Sequence, residues 1–278
     1  MIALAGTACD TTVGNTRGQS APAQRQAPAA RETPVIGVPQ GATAAARSAP
    51  RSRAARARRA HVQRPIRERA LTLAAVTPDQ LCVTHGALAS ARIEVPTFRA
   101  VAPGHAGDRA AMRFVVHGET AEHRALASGQ DRRQLGLKLR AEDGCNLVYV
   151  MWRLDPKPQV EVSIKRNEGE STAKQCGARG YTKVKPLLAE APPVMTDGRA
   201  HELRAEITGD LLVAWIDGAP VWRGRLPAAA EELDGPAGVR SDNLEVDLLG
   251  FAVDRRVGSG DATCKATSAA DTASAAEE

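Results

Sequence analysis

Aromatic side chains are scarce in this chain: three Phe, three Trp and two Tyr make up 3% of 278 residues. A wide aromatic platform, whether for flat glycan chains or for stacked bases, needs more rings than this. No CxxC pair is present, so the five cysteines do not have zinc-ribbon spacing. No GxSxG elbow, phosphate-cradling glycine loop or Asp-rich calcium loop is found either. No long segment keeps a helical period, which argues against a helical bundle. Residues 10–70 hold almost no large apolar side chains and are rich in Ala, Pro, Arg, Gln, Ser and Thr. Such a segment cannot bury enough surface to offset its ordering entropy and is expected to be a disordered linker. Residues 257–278, rich in Ala, Ser, Thr and acid, read as a disordered tail. Residues 71–256 remain, enough for one well-buried core.

Charge divides along the same boundary. The net charge is +5, yet residues 1–70 contain 12 Arg, no Lys and three carboxylates, so they carry +9 and the rest carries −4. The basic run RSRAARARRAHVQRPIRERA at residues 51–70 has no stacking aromatics. It reads as a solvated, self-repelling tether and not as a specific nucleic-acid contact.

The chain opens MIALAGTACD, where residues 1–9 resemble the truncated end of a bacterial lipoprotein signal, with Cys9 as the residue to be lipidated. Gly6 stands where that motif has a larger aliphatic residue, and the basic and apolar regions that precede it are absent, so a start further upstream is expected. The apolar run is too short to span a bilayer. The other cysteines, Cys82, Cys145, Cys176 and Cys264, are even in number, and in an exported chain they suggest two disulfides. Three pairings are open. Cys145–Cys176 with Cys82–Cys264 is favoured, because the first pair brackets one hairpin and the second flanks the domain.

Short period-two runs recur every dozen or so residues between 98 and 253, and Asp217-Gly218 is a hairpin signal between two of them. The pattern predicts an all-β fold, a two-sheet antiparallel sandwich of the jelly-roll kind. Helix is allowed at Ala70–Leu81 and Ala228–Leu233. Parity assigns Met112, Phe114, Val116, Leu135, Leu137, Leu139, Val148, Val150, Trp152, Val160, Val162, Ile164, Leu203, Ala205 and Ile207 to the core. Trp215 and Trp222 are expected to pack around their hairpin. Leu244, Val246 and Leu248 fit the core, and a bulge at Gly250 would bring Phe251 and Val253 to the same side. The opposite parity, if sequential strands are neighbours, makes one polar and partly basic sheet face from Arg113 to Glu206.

Three stretches, LGLKLRAEDGCNLVYVMWR, HELRAEITGDLLVAWIDGAPVWRG and GPAGVRSDNLEVDLLGFAV, give residues 95–254 a resemblance to the concanavalin A-like lectin and glucanase sandwich. The chain is similar in particular to laminin-G-type domains and to 3-keto-disaccharide hydrolase-like domains of bacterial envelope proteins. The resemblance implies glycan binding, glycan cleavage or adhesion, and fold alone does not choose among them. Retaining glucanases of that superfamily carry an E-x-D-x-x-E strand, whose nearest match is Glu245-Val246-Asp247-Leu248-Leu249-Gly250. Gly250 replaces the second Glu, so that mechanism is not expected.

Among other candidates, His201-Glu202 lacks the second zincin histidine and reads as a surface strand pair. His117 and His123 flank a turn. Asp242-Asn243 has oxygens for a weak calcium site but suits a turn better. No cofactor is otherwise expected. The candidate ligand-binding face comprises Lys138, Arg140, Tyr149, Arg153, Glu161 and Lys165: Tyr149 to stack on a sugar ring, the cations to donate to hydroxyls or pair with uronate or sulfate, and Glu161 to accept. No catalytic residue is assigned. The expected function is a non-catalytic, lectin-like binding or adhesion module for a glycan or polysaccharide, lipid-anchored at the cell envelope. A glycoside-processing hydrolase of the keto-disaccharide type and a purely structural envelope module are the alternatives.

Overall fold

The computed structural model describes residues 73–195 and 198–258. The leader, the linker and the tail beyond 258, with Cys9 and Cys264, lie outside the described residues. Among the described residues the strands are β1 (Ala74–Val76), β2 (Cys82–His85), β3 (Arg92–Ile93), β4 (Thr97–Val101), β5 (Arg109–Glu119), β6 (Gln134–Leu139), β7 (Leu147–Arg153), β8 (Gln159–Lys165), β9 (Tyr181–Lys183), β10 (Pro186–Ala189), β11 (Ala200–Thr208), β12 (Leu211–Ile216), β13 (Ala219–Arg225), β14 (Gly238–Asp242) and β15 (Leu244–Val253). One short helix, α1 (Ala173–Cys176), lies between β8 and β9. Among the described residues, the stretches allowed for helix hold strand β1 and single 3-10 turns at Pro78–Gln80 and Ala228–Ala230.

The strands form two antiparallel sheets. The first runs β1-β15-β5-β11-β12-β13-β10, with β3 also paired to β15, and the second runs β2-β4-β14-β6-β7-β8-β9. The chain passes from β4 in the second sheet to β5 in the first and back to β6, so neighbours in sequence become layers in space. The polar face inferred from parity is therefore two faces: β5 and β11 carry Arg113 and Glu206 on the first sheet, while β6, β7 and β8 carry the glycan-face candidates on the second.

The period-two residues named above meet between the sheets, and Phe98, Phe114, Leu135, Leu137, Trp152 and Leu203 are all essentially buried there. Phe114 meets the edge of Trp152 with ring centroids 6.0 Å apart. Each of these large side chains contributes roughly 1.5–3 kcal/mol on burial. Trp222 joins this core, whereas Trp215 stays partly exposed beneath the Arg204 guanidinium. Asp217 and Gly218 both adopt positive φ (50° and 81°), as a two-residue hairpin turn matching strand twist requires. The register shifts between Leu248 and Gly250, and Phe251 and Val253 return to the core beyond it. His201 is a correction: β11 begins at Ala200, so His201 shares the inward parity of Leu203 and is buried, with Nδ1 2.8 Å from Asp217.

Candidate functional site

The middle of the second sheet, β6 and β7, is buried on both faces. Every residue of β6 and β7 is buried, although only alternate ones point at the sandwich core. A smaller apolar cluster of Cys82, Val101, Ala141, Leu147, Tyr149 and Met151 covers part of the outer side. What remains there is a groove of about 1290 Å³.

Cross-strand register lays out its floor. One row runs Arg99, Arg240, Gly136, Met151, Glu161 across β4, β14, β6, β7 and β8. The next runs Val101, Gly238, Lys138, Tyr149, Ser163, Lys183 and reaches β9. Gly136 admits no larger residue, since an added Cβ would lie 2.2 Å from the Val150 carbonyl oxygen. Seven Lys or Arg residues against three carboxylates line the groove, so its field is positive.

Two loops form its ends. The segment 126–132 is pinned by Asn243, at φ 55° and fully buried. Its amide oxygen accepts the Arg124 N–H at 2.8 Å, and its NH₂ donates to the carbonyls of Arg124 and Arg132 at 3.0 Å each. This is a turn role, and the Asp242 carboxylate beside it accepts from Arg240 Nε at 2.8 Å and Gln134 Nε2 at 2.7 Å. The segment 171–178, which contains α1, is tied to the start of β7 by the Cys145–Cys176 disulfide, with Cα atoms 5.9 Å apart. Cys82 is itself disulfide-bonded; Cys264, expected as its partner, lies outside the described residues.

Of the six face candidates, Lys138, Tyr149, Glu161 and Lys165 line the groove. Arg153 lies on the same face but stands behind Glu161, 3.6 Å from its carboxylate. Arg140 is a correction. β6 ends at Leu139, Arg140 takes φ 47°, and its guanidinium turns away to Asp108 at 2.6 Å and the Ala230 carbonyl at 2.7 Å. Tyr149 is on the expected face but too deep to stack on a sugar: it is 3% exposed, with Arg240 4.9 Å from its ring centre and Tyr181 stacked at 6.1 Å. The accessible ring is Tyr181, 43% exposed, with the Lys165 ammonium 5.2 Å from its centre. Sequence reasoning missed Arg99 and Arg240 because β4 and β14 reach this sheet from distant parts of the chain, and missed Tyr181 and Lys183 because the three-residue β9 shows too little alternation to place its face. The alternation in Phe98-Arg99-Ala100 and Val239-Arg240-Ser241 was the signal available.

The charges in the groove are unequally satisfied. Burial would raise the Glu161 carboxyl, but Lys183 at 2.9 Å, with Arg153 and Arg132, outweighs it and holds the group below its usual range. Lys165 donates to the carbonyls of Gly177 at 2.9 Å and Gly144 at 3.3 Å, and burial with Arg99 and Arg240 nearby lowers it to about 8. Arg240 is buried but paired with Asp242. Lys138 is 3% exposed and makes no hydrogen bond or ion pair among the described residues. Burial first, then Arg99 and Arg240, push its ammonium down to about 7.

Elsewhere, His117 pairs with Asp247 at 2.7 Å and His123 with Glu119 at 2.9 Å. Glu245 and Asp247 pair with Arg92 on the other sheet, away from the groove. No group of three or more metal-ligating side chains occurs among the described residues.

No family model and no curated protein matches the chain. Solved structures similar to it include a carbohydrate-binding module, CBM66, from Bacillus subtilis (10% identity, 63% of this chain and 92% of that one, TM-score 0.43). Others are a tetrameric galectin from the sponge Cinachyrella (13%, 57% and 99%, TM-score 0.37) and the galectin LEC-6 from Caenorhabditis elegans (11%, 64% and 97%, TM-score 0.34). Likeness at this level decides nothing about function, and the two-sheet antiparallel sandwich rests on the strand pairing itself.

Proposed function

We propose that the domain is a non-catalytic carbohydrate-binding module and that the groove on the second sheet receives the glycan. The observation that carries this reading is the groove's make-up. One exposed ring face, Tyr181, stands beside an array of inward-pointing cationic donors, as a sugar with one apolar face and a rim of hydroxyls requires. Glu161, held ionised by three cations, is unsuited to protonate a glycosidic oxygen. Asp143 is engaged with the N–H groups of Cys145 and Asn146. These two observations favour binding over hydrolysis.

A glycan array followed by calorimetry with the full chain tests the reading. Binding of at least one oligosaccharide, weakened about five- to tenfold in Tyr181→Ala, is expected. Turnover of any oligosaccharide, lost in Glu161→Gln, would replace this reading with the hydrolase. We further propose attachment to a cell envelope through a lipid on Cys9, on the strength of the Ala8-Cys9 junction alone. Metabolic labelling with an alkyne fatty acid in a bacterial host, absent in Cys9→Ser, is the check.

A further inference from the structure

We infer that the glycan taken by this groove carries an acidic group, a carboxylate or a sulfate ester, and that Lys138 and Arg99 seat it. The inference rests on the binding reading above. Lys138 stands directly across from Gly238, and Arg240, across from Gly136, is its diagonal neighbour, so no side chain stands on β14 opposite the lysine. The stem of Lys138 is buried beside Tyr149 and its ammonium opens into the groove without a protein partner among the described residues. Arg99 lines the groove on β4 and likewise has no ion pair among the described residues. Of the other cations lining the groove, Arg240 is committed to Asp242, Lys183 and Arg132 to Glu161, and Lys165 to two carbonyls, while Lys174 is solvent-exposed on α1.

Arg99, and Lys138 whenever it is protonated, stand beside the paired Arg240 and make a locus of uncompensated positive charge in the groove. Neutral hydroxyls would satisfy hydrogen bonds there but leave that charge uncancelled. An anion satisfies both. The charged groups that act on the Lys138 ammonium are Arg99 and Arg240, with Asp143 partly offsetting them, and Tyr149 stands across the strand pair from it. An arriving anion therefore favours the protonated amine, and binding takes up a proton.

Calorimetry of the full chain with oligogalacturonate and heparin-derived hexasaccharides as the acidic arms, and maltohexaose and cellohexaose as the neutral ones, tests this. Affinity for at least one acidic arm is expected to exceed both neutral arms by about tenfold or more and to fall with added salt. Whichever acidic arm binds identifies the group as carboxylate or sulfate. Titrations at pH 7.5 in buffers of different ionisation enthalpy should show net proton uptake on binding. Lys138→Met should lose the acidic preference and the proton uptake, and Arg99→Gln, at a partly exposed position, should weaken the acidic arm without unfolding the chain. Equal affinity for acidic and neutral hexasaccharides, or acidic binding unchanged in both variants, overturns the acidic-group assignment and leaves glycan binding standing. Failure of every acidic and neutral arm to bind overturns both.

Discussion

Lys138→Met is expected to make the protein more stable, and by an amount that depends on pH. In the folded chain the ammonium is held at about 7, against an ordinary value of 10.5, mainly by burial and then by Arg99 and Arg240. Between those two values the unfolded chain binds more protons than the folded one, so the lysine's contribution to stability rises with pH. It is fully present above 10.5 and is lost as pH falls through 7. Integrated from pH 6 to pH 9, this contribution grows by about 2.5–3 kcal/mol in the wild type and is absent in Lys138→Met. Methionine keeps the length and the buried apolar stem while removing the charge, so at pH 6 the variant should be the more stable protein by as much as about 4–5 kcal/mol. Urea denaturation followed by tryptophan fluorescence at pH 6, 7.5 and 9 measures both proteins. Lys165, lowered to about 8, titrates in both and cancels in the comparison. Parallel stability profiles, or a variant less stable at pH 6, would refute the claim that Lys138 is an uncompensated buried cation.

Three other perturbations probe the frame around it. Replacing Cys145 and Cys176 together with Ser should lower stability by about 3–4 kcal/mol, from the closed loop set by their separation of 31 residues, and should loosen the segment 171–178 enough to weaken glycan binding; urea melts with calorimetry read both. Asp242→Ala leaves Arg240 buried without its counter-charge and should cost about 3–5 kcal/mol by the same melts. Gly136→Ala places a methyl against backbone that cannot move aside, so a loss of about 1–3 kcal/mol and a distorted groove floor are expected, the latter visible as chemical-shift changes in β6 and β7.

Alternation alone located the sandwich core. Val148, Val150, Trp152, Val162 and Ile164 repeat every second residue along two strands joined by a short turn, and each is essentially buried. The Asp217-Gly218 turn and the Gly250 irregularity were legible because local backbone chemistry demands particular residues there. Strands of two to four residues, β1, β2, β3 and β10, carry too few alternations to register. The groove was half legible. Parity places Lys138, Tyr149, Glu161 and Lys165 on one face, but it is silent on depth, which separates buried Tyr149 from exposed Tyr181. Nor does parity report which strands adjoin, and that is why Arg99 and Arg240, brought in by β4 and β14, were missed. Arg140 illustrates the remaining failure: one residue past the end of β6 the period-two rule no longer applies.

Two buried cations of this groove show how stability and binding can be told apart. Arg240 lies in a buried pair with Asp242, and Gln134 also donates to that carboxylate, so its charge is compensated inside the fold and its presence explains itself. Lys138, on the adjacent strand, has the same burial and the same field but no such partner among the described residues. A structural lysine would be expected to reach a carbonyl, as Lys165 reaches those of Gly144 and Gly177, or to extend its ammonium into bulk water. Lys138 reaches no carbonyl among the described residues and ends in the groove, and below pH 7 an apolar side chain of equal length would fill the same space at lower free energy. With the amine protonated, that free energy is recovered when a counter-charge arrives from outside the chain. A ligand bearing an anionic group therefore both binds to Lys138 and removes the instability it causes, so occupancy should raise the unfolding midpoint most at pH 6 to 7, where the unliganded protein is weakest.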